Sequence, residues 1–231
     1  MTSFQGFPRE TIRFLRDLSR NNEKAWFDAH REDYQEHYVG PALAFIASIG
    51  PRLQKISPSV TYEPKVNGSL FRINRDVRFS KDKRPYKDHL DLWFWHGDKR
   101  GWESPGFFFR LLPDRLILGA GMHRFEKTQL DAFRAAVVDA RAGKSLAKAV
   151  AEVGAAGPYK VGGASRKSVP RGFDPAHERA GLLLHEGLFA TFEGKPGAVL
   201  ETTGFVEFCV GHFRTMWPVS RWLLEHVTGG R

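Results

Sequence analysis

The sequence predicts an α+β fold, a central antiparallel sheet flanked by N-terminal and C-terminal helices. Apolar residues recur at helical spacing before residue 57 and after residue 125, and alternate with polar ones between 60 and 122. Pro113-Asp114-Arg115 supplies a hairpin turn between two of the alternating runs. In residues 10–56, Ile12, Leu15 and Leu18 mark one helical face, Trp26, Phe27, His30 and Tyr34 a second, and Leu43, Ile46, Ala47 and Leu53 a third. Breaks are expected at Asn21-Asn22, Gly40-Pro41 and Pro58. Strands follow. Leu90, Leu92 and Phe94 alternate with His89, Asp91 and Trp93, then Phe107, Phe109 and Leu111 with Phe108 and Arg110, and Leu116 to Met122 completes an antiparallel meander. Helices return at Glu126 to Arg141 and around Leu146 to Val153. Gly154 to Gly172 reads as a long basic loop, 175–184 as a short helix, 187–193 as a strand, and 203–228 as a helical region interrupted at Pro218.

Residues 1–231 are expected to form a single α+β domain, helical over 10–56, strand-rich over 60–122 and helical or mixed over 126–228. Hydrophobic residues make up 42% and include 19 Phe, enough for a well-filled interior. The formal charge of +9 favours anionic partners. Cys209 is the only cysteine, so an internal disulfide is excluded and a reducing, cytoplasmic setting fits. Met1 to Arg20 lacks the apolar run of a signal peptide, and no segment has the length and apolarity of a membrane span, so no membrane partner is expected.

The densest chemistry lies in residues 71–89. The odd positions Phe71, Ile73, Val77 and Phe79 are apolar, while Arg72, Asn74, Asp76 and Arg78 are polar, the pattern of a half-buried strand. Arg75 falls on the apolar parity, which requires either a buried carboxylate partner or a bulge. Between residues 71 and 90 seven cations face only Asp76, Asp82 and Asp88. Guanidinium forks and mobile ammonium groups suit phosphate or carboxylate oxygens, so an anionic small molecule is the expected partner. On a straight strand Arg72 and Arg78 would stand ~20 Å apart, too far to grip one phosphate. Arg78, Lys83 and Lys87 are therefore the expected contacts, with Arg75 and Asp76 orienting them and Tyr86 donating a hydrogen bond. Asp82 and Pro85 favour the chain reversal that this needs. An internal salt-bridge lattice is the competing reading of the same charges. Three charge-assisted hydrogen bonds at roughly 1.5–3 kcal/mol each barely exceed an association cost of about 4 kcal/mol. A ligand would thus need aromatic surface as well, which Trp93, Trp95 and Phe108 could provide.

Two further chemistries use the same region. His89 and Asp91 share a strand parity and could act beside Asp76 as general base and orienter in a hydrolase or transferase. Nucleic acid or a protein surface is the alternative partner, using the basic stripe together with Arg166, Lys167 and Arg171. The histidines lack metal-ligand spacing, so no metal is expected. Gly119-Ala-Gly121 lacks the third glycine and the βαβ context of a dinucleotide site; its glycines read as close-approach positions, and no cofactor is expected.

The run Arg72-x-x-Arg75-Asp76-x-Arg78-Phe79, followed by Asp82-Lys83 and Tyr86, resembles the defining motif of a bacterial family of unknown function whose members are of similar length. The resemblance extends over the Gly106 to Leu111 strand, Gly119 to Met122, and Val169 to Pro175. It implies the domain boundaries and the choice of motif. It implies no activity, substrate or cofactor.

Overall fold

In the computed structural model, which describes residues 3–97, 101, 104–195 and 197–229, the helical spacing of the N-terminal segment becomes a run of helices. Helix α1 (Arg9–Arg20) starts behind Pro8 and buries Thr11, Phe14, Leu15 and Leu18. It ends at Asn21, and α2 (Lys24–Ala29) and α3 (Arg31–Asp33) follow. The chain then widens into a π-helical turn, Tyr34–Val39, and runs directly into α4 (Gly40–Gln54). The break expected at Gly40-Pro41 is not made. Pro41 sits where the π-helical turn passes into α4, and the His37 carbonyl four residues before it, which a proline cannot serve, accepts from Thr11 Oγ1 at 2.5 Å.

Six strands form an antiparallel sheet in the order β1-β2-β3-β4-β6-β5: β1 (Val60–Thr61), β2 (Leu90–His96), β3 (Gly106–Leu111), β4 (Leu116–Met122), β5 (Tyr159–Ala164) and β6 (His185–Gly194). The expected meander is β2, β3 and β4, and Leu112 N donates to Arg115 O at 2.9 Å in the turn between the last two. Alternation understates β2, whose residues are buried on both faces. Helices α5 (Lys127–Val138) and α6 (Ala140–Ala155) precede β5, and α7 (Phe205–His226) closes the fold.

Four expectations are corrected. Residues 71–79 make no strand; their one bridge is Asn74 to Tyr86. Part of the supposed loop 154–172 is strand β5, which pairs with β6 from Tyr159↔Phe192 to Gly162↔Phe189 before a bulge between Gly162 and Ala164. Gly163 has φ +110°, and a Cβ there would lie 2.0 Å from Gly187 O. The glycines that read as loop are thus the strand's points of close approach. Residues 180–184 alone of the predicted 175–184 helix are helical, as a 3₁₀ turn. Pro218 does not interrupt α7: the apolar face carrying Phe205, Cys209, Phe213, Met216, Val219 and Trp222 is buried, and that packing offsets one lost backbone hydrogen bond.

The chain forms two compact units. One comprises Met1–Phe94, Phe108–Ile117 and Gly194–Val210. In it the Phe7 ring lies 5.3 Å from Phe4, 5.4 Å from Phe45 and 5.9 Å from Phe205, with edge-on or tilted geometry. The other comprises Trp95–Phe107, Leu118–Glu193 and Gly211–Arg231. There Phe107 packs 5.1 Å from Phe213 and 5.5 Å from Trp217, and Trp222 Nε1 donates to Ala142 O at 2.9 Å.

Candidate functional site: a clamped cationic loop

Although residues 71–79 are not a strand, the chain reversal expected from Asp82 and Pro85 is made. Arg75 N donates to Pro85 O and Lys87 N to Ile73 O, both at 2.8 Å, which closes the base of a loop spanning 76–84. Asn22, in the turn after α1, secures this base: its Nδ2 donates to Tyr86 O and its Oδ1 accepts from Tyr86 N, each at 3.0 Å. The Tyr86 ring stacks on Phe27 with centroids 4.2 Å apart and is buried. Tyr86 thus anchors the loop from below.

Above the base, side chains organise the backbone. Asp76 Oδ1 accepts from Arg78 N at 3.2 Å and from Arg78 Nε at 3.0 Å, and its Oδ2 accepts from Arg78 Nη2 at 2.7 Å. Asp82 repeats this with Arg84, at 3.0 Å from the backbone N, 3.2 Å from Nε and 2.9 Å from Nη2. Two Asp-x-Arg segments therefore fold into the same clamp. A side chain that bonds the backbone two residues on competes with a sheet ladder, which is why the alternating pattern did not become a strand. Hydrogen bonds from the Arg78 side chain and then its backbone N–H hold the Asp76 carboxyl below its usual range, and the same groups of Arg84 hold Asp82 well below.

Arg75 lies under the tip, its side chain 25% exposed, and donates through Nη1 to Asp82 Oδ2 at 2.8 Å and to Arg84 O at 2.9 Å. Its carboxylate partner is thus met on a partly exposed loop and not, as expected, buried in a strand. Lys83 Nζ donates to Val77 O at 3.0 Å. Arg72 is exposed, and its charge also favours ionised Asp76. Phe79, expected on a buried face, is 94% exposed, with the Arg78 guanidinium 5.7 Å from its ring centroid.

Lys87 and His89 belong to a second set, centred on Asp91. Arg110 on β3 grips this carboxylate through Nε at 2.7 Å and Nη2 at 3.0 Å. His89 Nε2 lies 3.2 Å from Asp91 Oδ2, and its Nδ1 lies 2.9 Å from Asp88 Oδ1. Lys87 Nζ is 4.0 Å from Asp91 Oδ2 and 4.8 Å from the Phe71 ring centroid. Burial pushes the Asp91 carboxyl up, but the hydrogen bonds from His89 and Arg110 outweigh it, and the net direction is down. Arg84 Nη1, 3.6 Å from Asp88 Oδ2, joins the two sets.

The expected site residues therefore separate. Arg72, Arg75, Asp76, Arg78 and Lys83 belong to the tip and its support, Tyr86 to the anchored base, and Lys87 and His89 to the Asp91 cluster. Asp76 is engaged by Arg78 and His89 by Asp88 and Asp91, so the two weak catalytic candidates occupy different hydrogen-bond sets. Trp93 and Trp95 are buried, and Phe108 is half-buried with Arg110 5.3 Å from its centroid. The aromatic surface beside the cations is Phe79 instead. Missed from sequence were Arg84 as a hub and Arg110 as the partner of Asp91. A polar residue in each of two otherwise apolar neighbouring strands was the signal for the latter pair. Among the described residues, no three His, Cys, Asp or Glu side chains are placed to hold a metal ion, and no helix is long and apolar enough to cross a membrane.

Residues 10–222 match a family described as conserved hypothetical protein, DUF2461. No curated protein matches the chain.

Proposed function

The chain belongs to the DUF2461 family of conserved hypothetical proteins, and we propose that within this fold the 76–84 loop is a binding site for a phosphate- or carboxylate-bearing ligand. The duplicated Asp-x-Arg clamp is the observation that carries this reading. An arginine side chain normally loses much rotamer freedom when it engages a ligand. Arg78 is already held through Nε and Nη2 by Asp76, while Nη1 takes no part in that fork and the side chain is 76% exposed. A guanidinium prepared in this way presents fixed donors to an incoming oxyanion at reduced entropic cost. Lys83 adds charge on the same loop and Arg72 just before its base, and Asp76 and Asp82 act as positioning residues. A cytoplasmic setting is part of the reading, since a single cysteine, Cys209, allows no internal disulfide.

A thermal-shift panel of phosphorylated and carboxylated metabolites, nucleotides and short oligonucleotides, on the parent protein and on Arg78→Ala, tests this proposal. A ligand at a hundredfold excess over its dissociation constant should stabilise the parent by about 2.7 kcal/mol, a rise of roughly 5–10 °C for a chain of this size. The rise should vanish in Arg78→Ala while the unliganded Tm stays where it was. A panel without hits, or a hit that survives in Arg78→Ala, removes the loop from consideration as the site.

A further inference from the structure

We infer that the ligand of the loop is a single-stranded nucleic acid, with Phe79 stacking one base and Arg78, Lys81 and Lys83 meeting the adjoining phosphates. This inference rests on the anion-site reading and assigns it a ligand class. Phe79 is the one exposed large apolar side chain among the described residues, at 94%. The loop's other apolar residue, Val77, is half-buried, and Tyr86 and Ile73 at the base are buried. The fold thus leaves the phenyl ring at that position in water, beside the Arg78 guanidinium. Water contact over nearly the whole ring disfavours it there in the free protein. A base stacked on the ring removes that contact, and any base will serve because each has a π face.

Charge surrounds the ring on both sides in sequence. Arg78 precedes it with a guanidinium 5.7 Å from the centroid, and Lys81 and Lys83 follow on exposed positions. Alternation of aromatic and cationic groups along a strand-tracking surface is the chemistry of single-strand binding. Paired bases are inaccessible to one ring on a loop tip, so a duplex would use the cations and leave Phe79 idle. An anionic membrane would also attract the cations. Its affinity, however, scales with buried apolar area, and the tip offers one ring flanked by Arg78 and Ser80. A small phosphorylated metabolite leaves the ring unexplained unless it carries a base of its own.

The experiment is fluorescence anisotropy of labelled oligothymidylate and oligouridylate against the full chain, titrated from low to moderate salt. Oligonucleotide should bind with a log–log salt slope of about −2, from ~0.7 per phosphate contact. Phe79→Ala should weaken binding roughly five- to hundredfold, the range of one lost base stack. Phe79→Trp should keep it, and Arg78→Ala should flatten the slope by ~0.7. Both side chains are exposed, so an unchanged Tm certifies the variants. Binding indifferent to Phe79→Ala overturns the inference by placing the contact elsewhere on the basic surface. If oligonucleotides fail while a phosphorylated metabolite still raises the Tm through Arg78, the nucleic-acid assignment falls and the anion site stands; if both fail, neither reading survives. Phe79-dependent sedimentation with phosphatidylserine vesicles, without oligonucleotide binding, overturns it in favour of a membrane surface.

Discussion

Asp91 is a buried and fully engaged charge. Its carboxylate is 6% exposed and meets Arg110, His89 and Lys87, so both oxygens are engaged. Asp91→Asn keeps the shape but leaves a half-buried guanidinium without its counter-charge, and should lower unfolding stability by about 3 kcal/mol in urea. Asp76→Asn, in the exposed fork with Arg78, should leave the urea midpoint almost unchanged. Equal effects of the two substitutions would contradict the division between a structural cluster and an exposed loop. The role of Asp91 was half legible: parity put it beside His89, but its main partner sits on another strand, and strand pairing is not written in either local pattern. Phe79 was misread for a related reason. Parity carries information about burial only where the chain is a strand, and the carboxylates of Asp76 and Asp82 turn it into something else.

Among the elements, glycine was the residue whose meaning depended most on its neighbour. Gly121 on β4 has φ +136°, and a Cβ there would lie 2.3 Å from Leu188 O on the adjacent β6. The close-approach role expected from sequence is the one it has, while Gly162-Gly163 read as loop and turned out to lie in β5. The two pairs look alike until a partner strand is known. Gly121→Ala combines an unfavourable φ with a backbone collision and should destabilise by more than about 1 kcal/mol, visible as a lower Tm. An unchanged Tm would mean that β4 and β6 can separate without loss. Proline misled in the opposite direction. Pro41 and Pro218 both sit inside continuous helix, the first with the orphaned His37 carbonyl satisfied by Thr11 and the second within a buried apolar face. The Pro113 to Arg115 hairpin was legible, because a turn is decided within a few residues.

At the scale of the whole molecule, acid should act in two stages. His96 and His185 are buried, and burial pushes both imidazoles down against the opposing pull of the Pro105 and Leu182 carbonyls. The unfolded chain therefore takes up those protons first, and stability falls as the pH drops through the ordinary histidine value of ~6.5 toward the lower folded values. Asp91 also has a lowered folded value, but as an acid its contribution is intact above the unfolded value of ~3.9 and is lost as the pH falls below it. Urea midpoints measured from pH 8 to 2 should show both declines; a flat profile down to about pH 4 would remove the buried histidines from the account. The α+β class and the flanking helices were readable, since they depend on periodicity summed over long windows, while the strand inventory was not, since 71–79 makes no strand and 159–164 makes one. The site was readable as a location and not as a geometry.

The base of the loop is closed by backbone hydrogen bonds between residues 73–75 and 85–87 and by the amide of Asn22, none of which involves a tip side chain. The residues between those two segments can therefore be grafted in the laboratory as a cassette, altering what the loop recognises while the base that holds it is kept.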